Sequence, residues 1–158
     1  MLLIKILGGI KMKKIRKIAA ILLVSILYTV NVSKLFAEIT FNGAFKRTQM
    51  DMIAEGTDAQ MWVGSHVAQN KTSEGVTVNI RNICTMSKTL INCTTEAIDS
   101  DGDTYISSAS GKIKEELRYM TILSGTGKYA DRVGNKGEYT LGVFDREKGY
   151  GNFSGKWY

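Results

Sequence analysis

Proline is absent from the 158 residues and histidine occurs once, at His66. A chain without proline must build its turns from Gly, Asn and Asp, which reach left-handed backbone at little cost or bond their own main chain. A single histidine also narrows the chemistry, because any nucleophile, base and orienter set built on imidazole would have to use His66 itself. No Gly-x-Ser-x-Gly elbow accompanies it. On the strand read for this region His66 shares a face with Trp62 and Gly64, a position more often packed or solvated than catalytic. Cysteine is confined to Cys84 and Cys93, and without a second pair or a histidine cluster the chain offers no metal site and calls for no cofactor.

Long apolar runs are missing too. The longest, from Ile18 to Val30, is shorter than the ~18 to 20 residues that span a bilayer as a helix. It follows a basic block of Lys11, Lys13, Lys14, Arg16 and Lys17, and it leads through Lys34 to Leu35-Phe36-Ala37. A positive segment, a short apolar segment and a small residue before a polar chain form a secretory signal. Residues 1–37 are therefore expected to be a signal peptide, with Met12 as an alternative start. The mature domain is expected at 38–158, periplasmic or secreted, with no membrane contact beyond the signal. No cysteine lies near the cut, which argues against a lipid anchor.

The charge of +6 suggests nucleic acid, but seven of the 21 basic residues precede Glu38 and all 15 acids follow Ala37. Fourteen basic residues then face 15 acids, and the polyanion argument disappears; no nucleic-acid partner is expected.

From Ile39 the chain gives short β-favouring runs divided by turn residues, with no helical window of twelve residues. Strands are read near 39–53, 59–69, 75–86, 89–98, 103–109, 117–124, 137–144 and 151–158. Eight strands in meander order favour an all-β, eight-stranded antiparallel up-and-down barrel, since closure removes exposed edges; a two-sheet sandwich is the alternative. In the third run Val76, Val78, Ile80, Asn82 and Cys84 alternate inward, Asn82 being the polar exception. If the chain reverses at Lys88 and Thr89, facing residues sum to 177. Ile80 then meets Ala97, Asn82 meets Thr95 and Cys84 meets Cys93, so the apolar faces coincide. Beyond the reducing cytosol that juxtaposition predicts a Cys84–Cys93 disulfide, the alternative being two reduced buried thiols. With a two-residue loop the pair is non-hydrogen-bonded and its Cα atoms stand ~4.5 Å apart.

Three motif matches fail on mechanism. Gly125-Thr126-Gly127-Lys128-Tyr129-Ala130 fits the dinucleotide fingerprint in letters, but Gly134, Gly137 and a strand at Glu138 follow where a pyrophosphate-binding helix should start. It is no P-loop, because Tyr129 replaces the magnesium-binding hydroxyl. Asp99-Ser100-Asp101-Gly102-Asp103 lacks the glycine and closing glutamate of a calcium loop and reads as a tight turn.

The same segments, Ser124 to Ala130 with its continuation Gly134-Asn135-Lys136-Gly137-Glu138-Tyr139, and the acidic turn after a Cys-containing strand, resemble bacterial secreted proteins with an allene oxide cyclase barrel-like domain. The likeness covers roughly Phe41 to Tyr158 and is specific over about fifty residues. It implies an eight-stranded barrel, shared with plant allene oxide cyclases and dirigent proteins, whose interior can enclose an apolar small molecule. No residue aligns with the plant cyclases' catalytic glutamate and its water. The residues offered for an apolar lumen are Phe41, Phe45, Met61, Val63, Tyr119 and Ile122. The first reading is thus a non-enzymatic exported barrel that binds a small apolar ligand or serves as an interaction module. The rival is an isomerase or cyclase acting by confinement, for which a buried carboxylate at Glu96 or Glu116 would speak. An adhesive module would instead show an aromatic patch around Tyr150, Phe153, Trp157 and Tyr158. A lumen of a few hundred Å³ with an isolated polar group separates binding from a side-chain-filled scaffold.

Overall fold

The structure, a computed structural model, describes residues 38–158; the expected signal segment lies outside the described residues. Eight strands follow one another: β1 Ile39–Ile53, β2 Met61–Thr72, β3 Thr77–Met86, β4 Leu90–Asp99, β5 Thr104–Lys112, β6 Leu117–Gly125, β7 Lys136–Asp145 and β8 Tyr150–Trp157. Each pairs antiparallel with its neighbour and β8 returns to β1, closing the barrel. The up-and-down barrel read in the sequence is the fold of this chain, and the sandwich alternative falls. One short 3-10 helix, Gly127–Arg132, separates β6 from β7.

Two segments differ from the sequence reading. Ser110-Gly111-Lys112, expected as a turn, is the end of β5, where Gly111 pairs with Ile91. Its missing side chain is what the strand needs there: a Cβ on Gly111 would stand 2.6 Å from Arg118 Cδ. Asn70-Lys71-Thr72, also expected as a turn, continues β2, because β1 and β3 both extend far enough to pair with it.

Alternation sorts the side chains. Val78, Cys84, Cys93, Ala97, Tyr105, Ala109, Met120 and Ile122 point inward and are buried. Glycines on β1, β7 and β8 make room for rings on adjacent strands. A Cβ on Gly155 would lie 2.6 Å from Phe41 Cζ, and one on Gly151 2.7 Å from the Phe45 ring. The aromatic wall of the lumen therefore rests directly on neighbouring backbone.

The β3–β4 hairpin has the expected register, with Ile80 opposite Ala97, Asn82 opposite Thr95 and Cys84 opposite Cys93. Ser87 N–H donates to Leu90 O at 2.9 Å, so the ladder's alternation makes the cysteines a non-hydrogen-bonded pair. Their Cα atoms are 4.0 Å apart and the sulfurs are bonded, with nine residues of separation. Closing so short a loop in the unfolded chain is worth about 2–3 kcal/mol in the chain-entropy account. The C84A/C93A double variant is expected to lose about that much, read as a lower urea midpoint at unchanged slope.

Candidate functional site

Between the aromatic wall and the opposite strands lies a lumen cavity of about 160 Å³. Phe41 and Phe45 on β1, Tyr139 and Phe144 on β7, and Phe153 and Trp157 on β8 line one side. Phe45 packs on Phe144 with centroids 5.4 Å apart and meets His66 edge-on at 5.8 Å. Met50, Met86, Met120 and the Cys84–Cys93 disulfide also line the cavity. The other side carries His66, Asn82, Thr95 and Ser107, which occupy consecutive register positions across β2, β3, β4 and β5. Thr95 Oγ1 donates to Asn82 Oδ1 at 2.6 Å, which accounts for the one polar residue in the inward set of β3. Asn70, also lining the cavity, is buried with its Oδ1 unpartnered among the described residues.

His66 sits opposite Arg47 in the β1–β2 ladder. Burial, and then the charge of Arg47, hold the imidazole below its ordinary value, so it is neutral at pH 7. Arg118 is buried at 5 % exposure, donates to the carbonyls of Glu115 and Leu117, and leaves Nε unpartnered. No carboxylate lies within 4 Å of either guanidinium among the described residues.

At the far end the lumen is closed by the 3-10 helix. Tyr129 drops from it into the core, 4.8 Å from the Tyr105 ring, among Val78, Ala97 and Ile122. Gly127 stands at φ +49° directly against Asp103, where a Cβ would be 1.9 Å from Oδ1. Lys128 then donates its N–H to Asp103 Oδ2 and places Nζ 2.9 Å from Asp99 and 2.5 Å from Asp101. The two segments set aside as decoys are thus one unit: the ammonium of Lys128 occupies the centre of the acidic turn, where a cation would have gone. Asp99 Oδ1 accepts from Asp101 and Asp103 N–H at 2.8 and 3.0 Å. Burial pushes this carboxyl up, but Lys128, the Asp101 N–H, the Tyr129 hydroxyl and the Asp103 N–H outweigh it and hold it below its ordinary value. Asp99 in turn adds to the burial that raises Tyr105 and Tyr129.

Of the six residues offered for the lumen, Phe41 and Phe45 line the cavity. Ile122 points inward but is packed at the closed end, at 2 % exposure. Met61, Val63 and Tyr119 fall on the outward parity of β2 and β6, one residue out of phase with Trp62, Gly64 and Met120, and none of the three lines the cavity. Glu96 and Glu116 are exposed. Of the C-terminal aromatics, Phe153 and Trp157 line the lumen while Tyr150 and Tyr158 are exposed. Reading polar inward positions as candidates, as Asn82 invited, would have found Thr95 and Ser107; Arg118 and Asn70 gave no such signal. A larger depression of about 560 Å³ is lined chiefly by Thr, Ser, Asn and Lys, and its one carboxylate, Glu138, is paired with Lys156.

Two solved structures share this architecture. The pterocarpan synthase dirigent protein GePTS1 superposes with a TM-score of 0.55 at 19 % identity, over 77 % of this chain and 84 % of that one. Its counterpart PsPTS1 gives 0.52 at 17 % identity, over 77 % and 92 %. The fold is that of the dirigent barrels. No family model matches the sequence, and no curated protein does. The dirigent likeness therefore speaks for the eight-stranded barrel, an architecture related to the allene oxide cyclase-like barrels, and for that alone.

Proposed function

We propose that this protein is an exported, non-catalytic dirigent-like barrel that holds one small apolar ligand in its lumen, within the bacterial secreted group its glycine-rich segment resembles. The observation that carries the reading is the cavity of about 160 Å³, lined by seven aromatic side chains, with a short row of polar groups on one wall. Apolar cavities of about 150 Å³ stay dry and accept benzene, whereas drug-sized ligands need about 300 Å³ or more. The lumen is below the few hundred Å³ anticipated from the sequence, so the ligand is limited to one ring or a short chain. Export is supported by the disulfide and by the signal-like sequence of residues 1–37; no helix among the described residues is long and apolar enough to cross a membrane.

Toluene is the direct probe. At a hundredfold excess over its dissociation constant a ligand specific for the folded state adds about 2.7 kcal/mol, a clear rise in Tm. Ala109, at 7 % exposure on the cavity wall, tests the location. Ala109→Leu is expected to fill the lumen and abolish the toluene shift while leaving the barrel folded. No shift in the parent protein from toluene, hexane or indole would leave the scaffold reading in its place.

A second reading, an interaction module, draws on one observation. Ile98, Ile106 and Leu123 are 48 %, 40 % and 52 % exposed on the outer face of β4 to β6. Ile106 pairs with Ser124 beside the β5–β6 bulge, which puts it next to Leu123.

A further inference from the structure

Inward-facing charge in this barrel is one-sided. The only buried carboxylate among the described residues, Asp99, is at the closed end and is already matched by Lys128. At the opposite end, that of the β1–β2, β3–β4, β5–β6 and β7–β8 hairpins, two guanidiniums have no counter-ion. Arg118 stands on β6 beneath the β5–β6 turn, beside Tyr139 of the cavity wall. Arg47 stands on β1 and spends one bond, 2.9 Å, on the carbonyl of Arg146 in the β7–β8 turn. Of the acids at these hairpin tips, Asp58, Glu115 and Asp145 face Lys88, Lys112 and Lys148, and Glu55, Glu116 and Glu147 form no ion pair with either guanidinium among the described residues. Arg118 is buried and Arg47 half-buried, and a guanidinium taken from water without an anion is unfavourable, so an anion supplied from outside stabilises it.

The register supplies the rest. Arg47, His66, Asn82, Thr95 and Ser107 follow one another across five adjacent strands; the last four form a polar rail along the cavity wall, and Arg47 continues it beyond His66, outside the lining. Facing the rail are Phe45, Phe144 and Phe153, which present ring faces and edges. A ligand seated here meets aromatic carbon on one side and donors and acceptors on the other, with the Arg47 guanidinium next to His66, outside the cavity lining and bonded only to the Arg146 carbonyl.

We propose, building on the small-ligand reading above, that the cavity is specific for a small aromatic carboxylate, its ring on the aromatic wall and its carboxylate at the Arg47–His66 end of the rail. A single ring with a carboxylate matches the roughly 160 Å³ of space. The groups around His66 fix the pH dependence: Arg47 faces it from β1, neutral Asn82 from β3 and the Phe45 ring from its edge, with Tyr139 also lining the lumen. Only an incoming anion can favour the imidazolium there. Binding a carboxylate therefore takes up a proton at His66, and affinity rises as pH falls.

The test is calorimetric titration of the purified full chain with benzoate, benzamide and toluene at pH 8.0, 7.0 and 5.5. Benzoate is expected to bind at least about tenfold tighter than either neutral ring, and to gain about tenfold more between pH 8.0 and 5.5 as the imidazole is driven to its charged form. Arg47→Met is expected to bring benzoate down to the level of benzamide and leave toluene unchanged, toluene binding itself certifying that the lumen is intact. His66→Asn should abolish the pH dependence. Toluene binding as tight as benzoate, or benzoate binding unaltered by Arg47→Met, overturns the carboxylate assignment while the small-ligand reading stands. Silence from all three probes overturns both.

Discussion

Replacing Asp99 by Ala is expected to cost about 3–5 kcal/mol, the range for breaking a buried ion pair from one side. The carboxylate is fully buried and organises three donors at once: the Lys128 ammonium and the backbone N–H groups of Asp101 and Asp103. Without it the two N–H groups lose their acceptor and the helical plug loses its anchor, so Tyr129 no longer has a fixed seat against Tyr105. For a domain of this size the loss corresponds to a fall in Tm of about 10–20 °C, measurable by circular dichroism or calorimetry. Lys128→Met should also destabilise, and the double variant less than the two single ones together, because each removes the other's reason for burial. Acid should imitate the substitution. The folded-state pKa of Asp99 is held below its unfolded value, so its contribution is complete above about pH 4 and fades as pH falls through the folded value. Asp99→Ala should accordingly flatten the acid limb of the stability curve. An unchanged limb, or a Tm within 3 °C of the parent as expected for a surface substitution, would show that the acidic turn does not hold the plug.

That anchor also shows where the sequence was legible and where it was not. Strand alternation and Gly/Asp turns reveal themselves locally, so all eight strands and the closed meander could be read. The Cys84–Cys93 register could be read as well, because one hairpin contains it. Asp99 and Lys128 are 29 positions apart, and the turn between β6 and β7 brings them together only once the barrel has closed. Seen separately, the Asp-rich turn and the Gly-Lys segment resemble a calcium loop and a phosphate loop; only the register shows that each completes the other. Met61, Val63 and Tyr119 illustrate a different limit. They are apolar, yet strand parity sends them outward, and in a barrel whose outer face carries Ile83, Ile98 and Leu123 at about half exposure, hydrophobicity alone does not identify the inside. Arg118 is the converse case. An arginine between Leu117 and Tyr119 gives no sign of being buried until Gly111, on the neighbouring strand, is found to have opened space for it.

Phe41→Ala is the second large effect, about 3–5 kcal/mol by the usual cost of emptying a buried phenylalanine site, and it separates stability from binding. The ring is 6 % exposed, packs 6.1 Å from Phe153 and 6.3 Å from Trp157 centroid to centroid, and lies over Gly155. Because Gly155, directly under the ring, has no side chain to move into the gap, only a shift of Phe153 or Trp157 could refill the void from β8. It should merge with the existing lumen, enlarging it by about the volume of a benzene ring, toward the 300 Å³ at which two-ring ligands become admissible. The variant is therefore expected to have a much lower urea midpoint and yet to bind naphthalene, which the parent excludes. Denaturant titration measures the first effect and a thermal shift with naphthalene the second. If the midpoint falls and naphthalene still fails to bind, the aromatic wall has collapsed inward, and the lumen is a packing defect of this core rather than a site shaped for a ligand.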